Sequence, residues 1–432
     1  MMPVATHKEI TVAALAEVLA NADAAEQDAY SAVSMASEPV LEGLGLSLFE
    51  TAFLAVYRDR VPRQAIHLRA VQAMRRWLMT GWQWRADAGR MRRAAAAGEP
   101  PRLMYRDWDR DRLERLLAPG RGLVLCSFHF GAYRHLSSDL AQLGFPITTA
   151  MDRAGAATGF ASVHENDALR LVTPLDLEQP GAPRRMKAAL ERNEILLLFV
   201  DGALGRVDGT GRGSIDVELF GCPIRVRTGA VRLAAMCDAP LAVVIPSVPN
   251  EGDVPTGPGE GTPAPTPEVV PMTGRGEAFV AESMRVILRA LEREIERYPS
   301  QWEGARQFNR LRLPMEVTAP LDAAAAQAWI TGQLDANGAL LADRRCVVQT
   351  SVASGVVWTD VRTMSTISLP THRGRLARAL MTTGVDAEWI DRQPADERAA
   401  LTETLAALAA RSLLTANERT EAPELVGEHA CD

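Results

Sequence analysis

The stretch Gly122–Arg134, GLVLCSFHFGAYR, marks a change in the character of the chain. Leu123–Phe128 is a short, mostly apolar run that ends directly on His129 and Gly131. A run of that length behind a glycine reads as a strand buried on both faces. Two more follow, Ile195–Val200 (ILLLFV) and Leu241–Pro246 (LAVVIP). Stretches of helical character lie between them, among them Arg184–Arg192 and Thr228–Cys237. Strands alternating with helices predict an α/β core with helices covering both faces of the sheet.

Upstream, residues 10–95 read as helices: Leu46, Phe49, Phe53, Leu54 and Tyr57 recur at helical spacing, and Pro100 and Pro101 punctuate the end. Downstream, Pro246–Pro271 holds eight prolines and reads as a loop inserted between two core strands. A helix follows, with Met284, Ile287, Leu288, Leu291 and Ile295 on one stripe, before Pro314 and Pro320 mark a boundary. From Leu321 a helix, short strands and further helices predict a small α+β, winged-helix-like module. The expected division is a helical region over 1–116, an α/β core over 117–315, the module over 321–416 and a flexible tail over 417–432.

Composition narrows the class. The chain has 432 residues, 47% hydrophobic and 23% charged, which excludes a disordered, collagenous or disulfide-scaffold protein. A net charge of -7 argues against a nucleic-acid coat. The five cysteines are widely spaced without a CxxC pair, so neither zinc nor a disulfide framework is expected, and reduced thiols in a cytoplasm are. The N-terminus lacks a basic segment ahead of an apolar core, and Ile195–Val200 is far short of the roughly 20 residues of a bilayer crossing. The expectation is a cytoplasmic protein without a transmembrane segment, peripheral contact with a membrane surface remaining open.

The chemistry begins at His129. A histidine at the carboxyl end of a strand, followed by Gly131 and a helix, lies where α/β sheets place ligands, and a neutral imidazole there can take a proton from an attacking hydroxyl or amine. Asp201 likewise ends a strand and opens a glycine-rich loop with Gly202, Gly205, Gly209, Gly211 and Gly213. Such backbone can cradle an anion, with Arg206 and Arg212 supplying charge. The loop is not a GxxxxGK[ST] sequence, so nucleotide hydrolysis gains little.

Four stretches, HFGAYRHL, ALERNEILLLFVDGALG, ELFGCPIRVRTGAVRLAAMCDAPLAVVIP and ERYPSQWEGARQFNR, come in an order and spacing that resembles the lipid A lauroyl/myristoyl acyltransferases of the glycerolipid acyltransferase superfamily. The resemblance spans about residues 122–310. It implies an acyltransferase-like α/β core without a cofactor or metal, and a histidine base in an HxxxxD/E motif. The family's histidine falls on His129, its aspartate loop on Asp201–Gly205, its small-residue helix start on Thr228–Gly229 and its late arginine on Arg306. The sequence departs from the pattern at Arg134, which stands where the family has the carboxylate that orients the imidazole. An arginine there predicts a neutral His129, or a cation that binds a substrate phosphate or carboxylate. Asp139, Asp201 and Glu165 are the candidates to supply the carboxylate instead. The second departure is the missing N-terminal membrane anchor, which favours a soluble acceptor over a membrane lipid.

The resemblance implies transfer of an acyl group from an activated donor (acyl-carrier protein, a CoA thioester or an aminoacyl-tRNA) to a small amine or hydroxyl acceptor. The rival expectation is a non-catalytic accessory or scaffold protein that binds a partner through its C-terminal module. Arg58–Arg93 carries ten arginines against two aspartates, with Trp77, Trp82 and Trp84 among them. That face could dock an acidic carrier, although a surface helix with tryptophans in the core is the simpler reading. Residues 321–432 hold ten Arg, no Lys and fifteen acidic residues, so DNA binding is not expected.

Overall fold

A computed structural model describes residues 10–21, 25–57, 60–98, 103–151, 170–202, 213–249, 262–313 without 273 and 275, and 321–417 without 337 and 353. The chain is mixed α/β and divides into two compact units, residues 1–57 with 64–313, and residues 58–63 with 314–432.

The larger unit begins with the helices Val12–Ala20, Glu26–Ser34, Glu38–Gly43 and Leu46–Tyr57, followed by the 34-residue Arg63–Ala96. Leu46–Tyr57 is buried almost all round, Ser47, Glu50 and Thr51 included, which is more than the one-sided stripe its apolar spacing predicts. It packs on the end of the unit: Phe53 meets Trp302 edge-on at 5.7 Å, and the Tyr57 hydroxyl donates to the Ile295 carbonyl at 3.2 Å. The arginine-rich helix is tied into this bundle. Arg75 donates to the Ala36 carbonyl and Arg85 to that of Leu19, beyond or within the last turns of two other helices. Trp82 is buried, with its indole N–H on the Asn21 carbonyl, and Trp77 lies 6.3 Å from Phe49.

His67 of that helix is held between two carboxylates, Nδ1 to Glu50 at 2.5 Å and Nε2 to Glu38 at 3.0 Å. The Glu50 hydrogen bond outweighs burial and, with Glu38, pushes the imidazole pKa up to about 9. The raised value means that this contribution is in full force below about pH 6.5 and is lost as pH rises through about 9. Glu38 is 63% exposed, so solvent screening leaves the cluster about 1–2 kcal/mol. His67→Gln is expected to lose that much stability at pH 6 and almost none at pH 10. Chemical denaturation of both proteins at the two pH values checks it, and an equal loss at both would show that the histidine acts by packing.

The core is a six-stranded sheet built from β2 (Leu123–Ser127), β3 (Ile147–Met151), β4 (Val172–Asp176), β5 (Ile195–Phe199), β8 (Leu241–Val243) and β10 (Glu268–Val269), after a two-residue β1 (Tyr105–Arg106) that pairs with β9 (Thr262–Pro263). Its order is β10-β8-β2-β5-β3-β4, parallel throughout except for the edge pair β10–β8. The central β2 is buried at every position, as a parallel strand covered on both faces must be. Pro174 is accommodated because β4 is an edge strand, where a missing N–H breaks no ladder. A separate hairpin joins β6 (Ser214–Leu219) to β7 (Cys222–Arg227) through Phe220 and Gly221, both at positive φ, the geometry of a tight two-residue turn.

In the smaller unit, helix Ala323–Asp335 is N-capped by Asp322, whose carboxylate accepts from the Ala325 amide at 2.7 Å. β12 (Val347–Val352), β13 (Gly355–Asp360) and β14 (Thr366–Pro370) form an antiparallel meander. Helices Gly374–Met381, Ala387–Asp391 and Ala395–Ala410 follow, and β11 (Ala339–Ala342) pairs with β15 (Leu414–Asn417). Residues 418–432, nearly all of the tail read as flexible, lie outside the described residues.

Candidate active site

Strand register brings the two candidate residues together. β2 and β5 are parallel neighbours, with Ser127 opposite Phe199 at their carboxyl ends. The Val200 amide still donates to the Ser127 carbonyl at 2.9 Å, so pairing persists one residue further. His129 and Asp201 each lie two residues beyond that paired position and therefore emerge side by side. The imidazole Nδ1 is 2.8 Å from Asp201 Oδ1, and the His129 backbone amide donates to the same carboxylate at 3.0 and 3.2 Å. Asp201 is 7% exposed and His129 19% at the side chain. One carboxylate thus fixes both the main chain and the ring, and the Nδ1–H···O bond leaves the Nε2 lone pair free. Among the described residues Nε2 has no hydrogen-bond partner.

The ring is held by aromatic neighbours, Tyr133 edge-on at 4.8 Å and Phe199 at 5.1 Å. The segment Pro299–Gly304 runs against it. The Gly131 amide donates to the Gln301 carbonyl at 2.9 Å, and the Gly304 amide to the His129 carbonyl at 2.8 Å. A Cβ at Gly304 would come within 2.2 Å of Asp201 Oδ2, so glycine lets this segment approach the carboxylate. Asp201 also lines a small, almost wholly apolar cavity with Phe128, Val200, Ile224, Leu288 and Trp302, surroundings of low dielectric in which its charge acts strongly on the imidazole.

The electrostatics differ from the sequence expectation. Burial lowers the His129 pKa, but the charge and hydrogen bond of Asp201, helped by Glu303, outweigh it and raise the value above that of a free histidine. Arg134 lowers it, the direction expected, without prevailing. Its guanidinium faces Glu303 instead, Nη2 to Oε1 at 2.7 Å, and lies 4.8 Å from the Tyr133 ring centre.

The remaining candidates take varied places. Gly131 stands at φ +56°, and a Cβ there would come within 2.1 Å of the Pro246 carbonyl oxygen, so the chain itself fills the space beside it. Gly202 directly follows Asp201, and a Cβ there would lie 4.0 Å from the imidazole Cε1. Thr228 is fully buried at the start of helix Gly229–Cys237, where its hydroxyl accepts from Arg232 Nε at 2.8 Å. Arg306 stacks on Trp77, 4.4 Å from the ring centre. Gly205, Arg206, Arg212 and Glu165 lie outside the described residues.

Asp139 does not serve the imidazole. It is buried and accepts from the Met104 and Tyr105 amides at 3.2 and 2.9 Å, and burial pushes its pKa up to about 7. Burial also pushes the Cys126 thiol up to about 12, which leaves no thiolate for nucleophilic work. Among the described residues no cluster of His, Cys, Asp and Glu could hold a metal ion, and no helix is long and apolar enough to cross a membrane. Sequence reasoning missed Tyr133 and Glu303. The Glu303 carboxylate accepts from both the Tyr133 hydroxyl and Arg134 at 2.7 Å. Its only signal in the sequence was membership of the stretch ERYPSQWEGARQFNR, nearly 170 residues from Arg134.

No protein-family model matches the chain, and no curated protein matches it.

Proposed function

We propose that the protein is an acyltransferase with a glycerolipid-acyltransferase-like core. It moves an acyl group from an activated donor, an acyl-carrier protein, acyl-CoA or aminoacyl-tRNA, to a soluble amine or hydroxyl acceptor. The observation that supports this most is the His129–Asp201 pair, a base with a buried orienting carboxylate 2.8 Å away at the carboxyl end of a parallel sheet. His129 Nε2 takes the acceptor's proton as the acceptor oxygen or nitrogen attacks the acyl carbonyl. Asp201 stabilises the imidazolium so formed. The tetrahedral intermediate collapses with cleavage of the bond to the carrier, and the imidazolium returns its proton to the departing thiolate or alkoxide. Backbone N–H groups or an arginine stabilise the oxyanion.

The non-catalytic reading rests on Arg134 in the place of the motif carboxylate. A discharge assay separates the two. Wild type and His129→Ala are incubated with acyl-CoA, acyl-carrier protein and charged tRNA, together with pooled amines and alcohols, and products are read by mass spectrometry. A new acylated product is expected, formed roughly 10²–10⁴-fold more slowly by His129→Ala. No product above a protein-free blank from any donor favours an accessory protein, and product above the blank that is equal in both proteins removes His129 as the base.

A further inference from the structure

We propose that Glu303 is a positioning residue of this site, supplying across the chain a second carboxylate at the place where Arg134 interrupts the motif. The inference rests on the reading of His129 as a base, but its test does not depend on knowing a substrate.

The geometry is specific. Arg134 presents a cation five residues after His129, where it opposes protonation of the ring. Glu303 pairs with it at 2.7 Å, and the same Oε1 accepts the Tyr133 hydroxyl, also at 2.7 Å. Tyr133 packs edge-on against the imidazole at 4.8 Å. One carboxylate oxygen therefore neutralises the cation and fixes the aromatic wall of the site. Glu303 is delivered there by backbone pairing, since Gln301 and Gly304 are bonded to Gly131 and His129. Its other oxygen, Oε2, is buried without a hydrogen-bond partner among the described residues, and so is Arg134 Nε. The charged and titratable groups acting on the imidazole are then Asp201 after β5, Arg134 in the turn after β2, and Glu303 in the segment after Pro299, beside the neutral Tyr133.

The test is an NMR titration of His129 in labelled full-length protein, assigned by its loss in His129→Ala. Glu303→Gln keeps the size and leaves Arg134 uncompensated, so the His129 midpoint is expected to move down. Arg134→Gln removes the opposing cation and should move it up. The double variant, with both charges gone, should return it towards the wild-type value. If an active donor is found, the acid limb of kcat/KM in Glu303→Gln should follow the midpoint, with a plateau about 10-fold lower rather than abolished. A folded Glu303→Gln with an unmoved midpoint overturns the proposal. Should that variant not fold, an unmoved midpoint in Arg134→Gln overturns it equally. If the midpoints shift as expected but no acyl product forms, the assignment of Glu303 stands while the acyltransferase reading falls.

Discussion

Asp201→Asn is expected to lower the proposed acyl-transfer turnover by roughly 10³–10⁴-fold in a protein that still folds. The reason is the double use of the carboxylate. Asp201 accepts from the His129 backbone amide at 3.0 and 3.2 Å and faces ring Nδ1 at 2.8 Å. Asparagine has one oxygen and one NH₂ group. The backbone amide needs an acceptor, and the Phe128 carbonyl of the same peptide already accepts the Phe130 amide at 2.8 Å, so this peptide cannot turn away. The asparagine oxygen therefore stays with the amide and the NH₂ faces the ring. An NH₂ donor makes Nδ1 the acceptor and moves the ring proton to Nε2, which removes the lone pair that takes the acceptor's proton in the proposed reaction. The imidazolium also loses its anionic partner, so the midpoint of His129 should fall. ¹⁵N shifts of the ring report the tautomer directly, and the discharge assay reports the rate. A variant within about 10-fold of wild type, with Nε2 still unprotonated, would mean that Asp201 only holds the backbone.

The legible and illegible parts of this site divide along a physical line. Local pattern revealed that Leu123–Phe128 and Ile195–Val200 are buried strands and that His129 and Asp201 follow them directly. It did not reveal that these two strands are neighbours, because pairing in a parallel sheet is set by how the crossovers pack. The intervening β3 and β4 were illegible for local reasons. Ile147–Met151 carries Thr148 and Thr149 in the middle, and the Thr148 hydroxyl donates to Glu194, 46 residues along the chain. Val172–Asp176 contains Pro174, which argues against a strand unless its edge position is known. The expectation of a neutral His129 came from treating Arg134 as an isolated cation. Its effect depends on Glu303, and only the fold shows that an anion sits 2.7 Å from it. The arginine-rich helix shows the converse. Its charge pattern admitted a docking face, whereas Arg75 and Arg85 are engaged with carbonyls of the helical bundle.

Gly131→Ala should be the most destabilising of the single-methyl substitutions near the site, at about 3–5 kcal/mol. Two separate penalties meet there. The residue is left-handed, φ +56°, which costs an alanine about 1–2 kcal/mol. The added Cβ would also stand 2.1 Å from the Pro246 carbonyl oxygen, a backbone atom with little freedom to withdraw. That oxygen already accepts the Ala132 amide at 3.0 Å and the buried Tyr105 hydroxyl at 2.6 Å, so shifting it loosens two hydrogen bonds at once. Gly221, in the β6–β7 turn, isolates the first penalty: it stands at φ +74° with no atom within 4 Å of where a Cβ would be. Gly221→Ala should therefore lose only about 1–2 kcal/mol. Urea denaturation of the two variants beside wild type gives the difference. If both lose the same amount, backbone conformation accounts for everything, and the close approach of residues 131 and 246 contributes nothing to holding His129 in place. If Gly131→Ala loses the larger amount and also slows acyl transfer while Gly221→Ala does not, then the turn after β2 is held against Pro246 in order to aim the imidazole.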